Sequence, residues 1–271
     1  MLELEFSEKT HPGLLRDHNE DFVGHVSPAT PKEAQSLGWL FALADGVGGQ
    51  EKGEVASRVA VETVLERFRT IPKGVMHVSL LPRLVQDANQ AVFDEGNGSK
   101  PGVSAVSEHH MASTLVLCAL RFDSAVISHV GDSRCYLMRS GKLSSLTRDH
   151  SMADEQVRLG IISREEAAEA ESRNVLTRSL GMEMFVAADT ITVNILPGDL
   201  LLLCSDGLHG YVSHAVIQEI MASTEELSAT AEALVQAANE AGGHDNVSVQ
   251  LIRVHGVERM GLYRGRPYRL L

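Results

Sequence analysis

The 271-residue sequence predicts an α+β fold, a four-layer α-β-β-α sandwich with two antiparallel sheets. Short apolar runs bounded by turn residues read as strands. Some are joined by connections too short for a parallel crossover, as at Ser140-Gly141-Lys142 and Pro197-Gly198-Asp199, and are read as hairpins. Helical periodicity comes in pairs before and after the strand-rich middle, so helices are expected to cover both sheets from outside.

Strands are expected at 39–44 (WLFALA), 113–120 (STLVLCAL), 125–130 (AVISHV), 134–138 (RCYLM), 189–195 (DTITVNI), 199–204 (DLLLLC) and 246–254 (NVSVQLIRV). The first helix is 54–69, where Val55, Val59, Val64 and Phe68 are spaced three to five residues apart, and the next is 80–93. Residues 153–160 and 164–171 follow, the latter opened by a capping box of Ser163 and Glu166. The last two are 214–222, started by Ser213, and 228–241, closed by Gly242. Residues 25–38 and 96–110 lack periodicity and read as loops. No linker-like break interrupts 1–254, which reads as one domain, while 255–271 is a basic tail read as a solvated chain end.

Composition removes several functional classes. With 44% hydrophobic and 22% charged residues the chain can bury a core, which excludes disorder as a whole-chain description. The longest strongly apolar run, Leu200 to Cys204, is far too short to span a bilayer. Glu3, Glu5 and Glu8 stand where a secretory signal needs basic and then apolar residues. A net charge of −12 argues against nucleic acid and anionic membranes as partners. Cys118, Cys135 and Cys204 lie in apolar, strand-like runs without metal-site spacing, which points to a reducing compartment and a cytoplasmic location. The twelve histidines read as structural or solvated; His244, beside Asp245, is the first to check.

The chemistry lies in where carboxylates fall. Asp45, Asp132 and Asp206 follow strands, and Asp245 precedes one, so four carboxylates can converge at one edge of the sheets. Such oxygens, with a backbone carbonyl such as that of Gly46, suit hard divalent cations. Each alone is an ordinary turn residue, and Asp199 is read as only a hairpin corner without chemistry. In RDHNED (16–21), read as the start of a strand, Arg16, His18 and Glu20 share one face and Asp21 takes the other. Arg16 is then either a surface ion-pair partner or a fork for a phosphate. Gly46, Gly48, Gly49 and Gly53 lack the spacing of a nucleotide-binding loop and read as a tight turn beside Asp45.

Seven blocks occur in order: RDHNED, ADGVGG (44–49), GDSR (131–134), LTRDHS (146–151), RNVLTRSLG (173–181), CSDGL (204–208) and HDNVSV (244–249). Over about residues 6–254 the chain resembles the metal-dependent serine/threonine protein phosphatases of type 2C, especially the compact bacterial members. The resemblance implies an α-β-β-α sandwich holding two Mn²⁺ or Mg²⁺ ions, with a third, weaker one. It implies that Asp45 bridges the two metals with the Gly46 carbonyl on the first, that Asp206 and Asp245 hold the second, and that Glu20 acts through a metal-bound water. Asp132 would hold the third metal with Asp206, and Arg16 would bind the substrate phosphate. Asp21, Thr114, Ser133 and Asn246 are supporting residues in this scheme.

Two divalent ions more than balance three carboxylates, so an acidic site becomes able to bind a phosphate. Water bridging such ions loses a proton easily and can attack phosphorus directly. Val47 stands where many relatives have a His suspected of protonating the leaving group, so bound water is the expected acid. Residues 152–172 match a two-helix flap, with Glu171 and Ser172 in place of a frequent His-Pro. The expected function is hydrolysis of phosphoserine and phosphothreonine in proteins, the substrates of a cognate kinase, by a monomer. The alternatives are a non-catalytic scaffold of the same fold and a phosphatase of small phosphate esters.

Overall fold

Leu2, Leu4 and Phe6 alternate with Glu3 and Glu5, and this amino-terminal pattern forms β1 (Glu3–His11), a strand missing from the sequence-derived set. The computed structural model describes residues 1–47, 52–72, 74–97, 111–223, 226–258, 260–263 and 266–269. Gly48, Gly49 and most of the 96–110 loop lie outside the described residues.

One antiparallel sheet runs in the order β2 (Asp21–Val26), β3 (Trp39–Asp45), β4 (Leu115–Arg121), β5 (Ser124–Val130) and β8 (Asp189–Asn194). The other runs β1, β10 (Val247–Gly256), β9 (Leu200–Cys204), β6 (Arg134–Arg139) and β7 (Lys142–Ser145). Helices α2 (Gly53–Arg69) and α3 (His77–Gly96) cover the first sheet, while α7 (His214–Ser223) and α8 (Leu227–Glu240) lie over the second. This is the four-layer sandwich expected from the sequence.

Burial on both faces explains why the central strands are almost wholly apolar. Leu40, Ala42 and Ala44 face α2 and α3, whereas Phe41 and Leu43 meet the second sheet. On β9, Leu200, Leu202 and Cys204 face the helices, and Leu201 and Leu203 face the first sheet. All three cysteines are buried and free, as their apolar setting predicts.

Four local expectations need correction. Pro197-Gly198-Asp199 is no hairpin: it carries the chain from β8 in one sheet to β9 in the other. Asp199 is a buried anchor there, accepting from Arg139 Nε and Nη2 at 2.8 and 2.6 Å and from the Leu196 N–H at 2.8 Å. Residues 25–38 contain the end of β2 and a helix, α1 (Pro31–Ser36), whose start is fixed by Thr30 accepting from the Glu33 N–H and by Pro31 in the first turn. Residues 12–20 form turns and bends, and β2 begins only at Asp21, so Arg16, His18 and Glu20 do not share a strand face. The Ser140-Gly141-Lys142 hairpin joins β6 to β7 as read.

Between β7 and β8 lie α4 (Met152–Arg158), α5 (Arg164–Glu169) and a 3-10 turn (Glu171–Asn174), with the Ser163 capping box formed. A short α6 (Asp206–His209) follows β9. Beyond β10 the chain end pairs β11 (Met260–Tyr263) with β12 (Arg266–Arg269). Among the described residues no helix is long and apolar enough to cross a membrane.

Candidate active site

Antiparallel pairing decides where the acidic residues meet. β2 begins where β3 ends, which makes Asp21 the register partner of Asp45. β1 ends with His11 opposite Val247, the first residue of β10, and Cys204 at the end of β9 pairs with Val249 and Arg134. Asp21, Asp45, Asp206 and Asp245, and Asp132 in the β5–β6 turn, are thus carried to one end of the sandwich.

Arg16 reaches this end through a loop, not a strand. The Leu14 and Leu15 N–H groups donate to the Gly243 carbonyl at 2.8 and 3.2 Å. Asn246 ties down the rest: its Nδ2 donates to the Pro12 and His18 carbonyls at 2.9 and 2.8 Å, and its Oδ1 accepts from the Glu20 N–H at 2.7 Å. Arg16 Nη2 then donates to Asp245 Oδ2 at 2.8 Å.

The Asp45 backbone is equally fixed. Its N–H donates to Thr114 Oγ1 at 3.0 Å, and its carbonyl accepts from the Thr114 N–H and Ser113 Oγ at 2.8 and 2.9 Å. Thr114 Oγ1 lies 2.7 Å from Ser133 Oγ, so two residues of the motif set support Asp45 together. Gly46 follows, its N–H donating to the Glu20 carbonyl at 3.0 Å. A Cβ on Gly46 would stand 2.3 Å from the Gly53 carbonyl, so only glycine lets the start of α2 pack here.

Electrostatics at this end are those of a site awaiting positive charge. Burial, together with Asp21, Asp206 and Asp132, pushes the Asp45 carboxyl well above its ordinary range. Burial and Asp245 raise Asp206 to about 6, and burial raises Asp21 to about 7 although Ser205 Oγ donates to its Oδ2 at 2.7 Å. Asp132 is also driven well upward by burial and by Asp206. Asp21 Oδ1 is buried without a hydrogen-bond partner. Each of these groups favours a proton unless a cation takes its place.

Among the described residues, no three His, Cys, Asp or Glu side chains close into a ready-made cage. The donors are single oxygens from separate strand ends, which suits hard cations that keep part of their water shell. The residues therefore fit Mn²⁺ or Mg²⁺ better than a metal that needs a histidine and cysteine cage.

The remaining motif residues have structural partners. Arg134 forks onto Asp149 at 2.8 and 2.6 Å, joining the GDSR and LTRDHS blocks. His244 is exposed, with its ring 5.3 Å from that of Tyr211. The histidine inside the site is His209, one turn after Asp206: burial pushes it down to about 3, so it is neutral and donates through Nε2 to the Asp132 carbonyl at 2.9 Å. Sequence reasoning passed over His209 and Ser205; their spacing of three residues after and one before Asp206 was the available signal.

A cleft of this charge repels a phosphate until cations enter it, and that dependence puts the protein among the metal-dependent phosphatases. The chain belongs to the protein phosphatase 2C family, whose model matches residues 19–251. It is 34% identical to a serine/threonine phosphatase (stp) of Listeria innocua, covering 95% of this chain and 97% of the relative. It is 31% identical to the protein phosphatase PhpP of Streptococcus pneumoniae, over 93% and 98% of the two chains. The Mycobacterium tuberculosis serine/threonine phosphatase PstP superposes with a TM-score of 0.80 at 31% identity, covering 94% of this chain and all of that one. A structure of the PstP catalytic domain contains two manganese ions, and superposes with a TM-score of 0.77 at 31% identity, over 94% of this chain and 100% of that domain.

Proposed function

We propose that this end of the sandwich removes phosphate from phosphoserine and phosphothreonine of proteins, with Asp45, the Gly46 carbonyl, Asp206 and Asp245 holding two divalent cations. Asp45 would serve both ions, Glu20 would act through water, and Asp132 with Asp206 would hold a weaker third ion. The observation that carries this reading is the convergence of buried and half-buried carboxylates whose mutual repulsion positive charge relieves. Bound there, Mn²⁺ or Mg²⁺ supplies acidified water as nucleophile and the charge that holds the phosphate.

The chain's own residues do the rest. Arg16, on its pinned loop, presents a planar fork that can take two phosphate oxygens. Thr114, backed by Ser133, holds the Asp45 backbone, and Asn246 fixes the Arg16–Glu20 segment, so the donors need little reorganisation. Asp21 accepts from Ser205 and leaves an oxygen for the water shell of a cation. Val47 offers no proton, which leaves water to protonate the leaving Ser or Thr oxygen.

A complete carboxylate set argues against a non-catalytic scaffold. The three buried free cysteines suit a reducing, cytoplasmic setting and the acidic net charge suits a monomer, and removal of phosphate from serine and threonine would oppose a kinase in signalling. Residues 1–254 form the catalytic domain in this reading, 152–172 its flap and 255–271 a basic appendage. Hydrolysis of phosphopeptides and of p-nitrophenyl phosphate is expected to need added Mn²⁺ or Mg²⁺ and to stop with chelator. Turnover that ignores chelation overturns the mechanism.

A further inference from the structure

One cavity borders the site carboxylates, and a second, of different chemistry, begins at Val47, two positions past Asp45. The first, of about 320 Å³, has Asp132 and Asp206 in its wall together with Arg164 and Arg173. The other, of about 400 Å³, starts at Val47 and is walled by Ala112, Met182, Phe185 and Val186. Asn174 borders both. Resting on the phosphatase reading above, we propose that the second cavity is a specificity pocket for a large apolar side chain next to the phosphorylated residue of the substrate.

The pocket is continuous with the catalytic edge. Gly46 bridges to Ser113 and Ser113 to Leu180, while the Val47 N–H donates to the Ala112 carbonyl at 3.0 Å. Its Val47 and Ala112 wall is therefore continuous along the chain with the segments Asp45–Gly46 and Ser113–Thr114 that fix Asp45. An extended peptide advances about 3.3 Å per residue, and Val47 lies only two positions past Asp45, so the pocket is in reach one to three residues from the phosphorylated one.

Large apolar side chains on and beside its rim are exposed, yet rigidly placed. Phe185 is 72% exposed, Met184 53% and Met182 41%, a concentration of large apolar surface within one short segment. The backbone beneath is held from α3. Asn89 Nδ2 donates to the Glu183 and Met184 carbonyls at 2.9 and 3.1 Å, and Asn89 Oδ1 accepts from the Gly181 N–H at 2.9 Å. Gln86 donates to the Met184 carbonyl at 2.9 Å and accepts from the Val186 N–H at 3.2 Å. A pinned backbone carrying exposed methionine and phenylalanine is preorganised for an apolar partner, with the thioethers able to adapt to its shape. The one cation in the wall, Arg178, is already paired with Asp189 at 2.7 Å, and Glu183 adds negative charge, so acidic flanking residues are disfavoured.

The test is a series of phosphothreonine peptides with Phe, Gly or Asp placed one to three residues before or after the phosphothreonine, assayed with Mn²⁺. Phe on one side only is expected to raise kcat/KM about tenfold to a hundredfold over Gly, through KM, with Asp below Gly. Phe185→Ser combined with Met182→Ser is expected to bring the Phe/Gly ratio to about one. A flat series in the wild type, which needs no variant to be folded, overturns the pocket, as does a ratio that survives both substitutions. Failure to hydrolyse any peptide or p-nitrophenyl phosphate gives a different pattern: it overturns the phosphatase reading and the pocket's role with it.

Discussion

Arg16 Nη2 donates to Asp245 Oδ2 at 2.8 Å, so the proposed phosphate anchor and a proposed cation ligand share one contact. A cation held by Asp245 would compete for that oxygen, leaving the guanidinium available to a phosphate. Arg16→Ala is then expected to raise KM for small phosphate esters more than it lowers kcat, as for loss of uniform binding. Arg16→Lys keeps the charge but not the fork, and is expected to recover only part of the affinity. Steady-state kinetics on both variants decide the matter. A kcat effect that exceeds the KM effect assigns Arg16 to the transition state.

The carboxylates assigned above to the reaction repel one another in the metal-free fold. Asp45→Asn, Asp206→Asn and Asp245→Asn are each expected to weaken cation binding and to lower turnover by about a thousandfold or more. For Asp45 and Asp206, whose neighbours repel their charged forms, the chelated variants are also expected to melt above the chelated wild type. Calorimetric metal titration with melting curves in chelator measures both effects. Full activity in any purified variant removes that residue from the site.

The legible parts of the sequence were those with local causes. A strand buried on both faces, such as WLFALA, needs no partner to be recognised, and an aspartate at its end is visible in one dimension. Convergence of Asp45 with Asp206 and Asp245 depends on which strand ends coincide, and there the family motifs carried the reading. Asp199 was misjudged because Pro-Gly-Asp looks alike whether the next strand joins the same sheet or the other one; Arg139, sixty positions away, makes it a buried anchor. Arg16 reads as part of a strand because alternation over so few residues cannot be told from a loop pinned by Asn246. The alternation of Leu2, Leu4 and Phe6 with Glu3 and Glu5 that forms β1 is present in the sequence, although only the charge of its glutamates bears on the expectation made there.

His77 gives a pH dependence independent of the site. Its Nε2 donates to the Leu37 carbonyl at 2.7 Å, and burial together with Arg121 pushes its pKa down to about 4. An unfolded histidine titrates near about 6.5. The stability that depends on a neutral His77 is therefore complete above that value and is lost as pH falls toward about 4. His77→Gln can keep a donor without the titration. Its melting temperature is expected to fall less than that of wild type between about pH 7.5 and pH 5. Other groups titrate alike in the two proteins, so equal falls in both mean that His77 is not held neutral.

Asp132 follows Gly131, which at φ +97° occupies the left-handed region, and could be no more than part of that turn. Its surroundings say otherwise: the carboxyl is buried and pushed upward by burial and by Asp206, while neutral His209 holds its carbonyl. If it serves the weaker third cation with Asp206, its loss leaves the Asp45, Asp206 and Asp245 set in place. Asp132→Ala is then expected to bind two Mn²⁺ as tightly as wild type, to lose the weaker third, and to turn over more slowly at saturating phosphopeptide. A fall in kcat with KM unchanged marks an interaction made in the transition state, such as stabilising developing charge or aiding departure of the Ser or Thr oxygen. Calorimetric titration beside phosphopeptide kinetics reads both quantities. Wild-type kcat at every Mn²⁺ concentration reduces Asp132 to a turn residue, and loss of all Mn²⁺ binding moves it into the tightly bound pair.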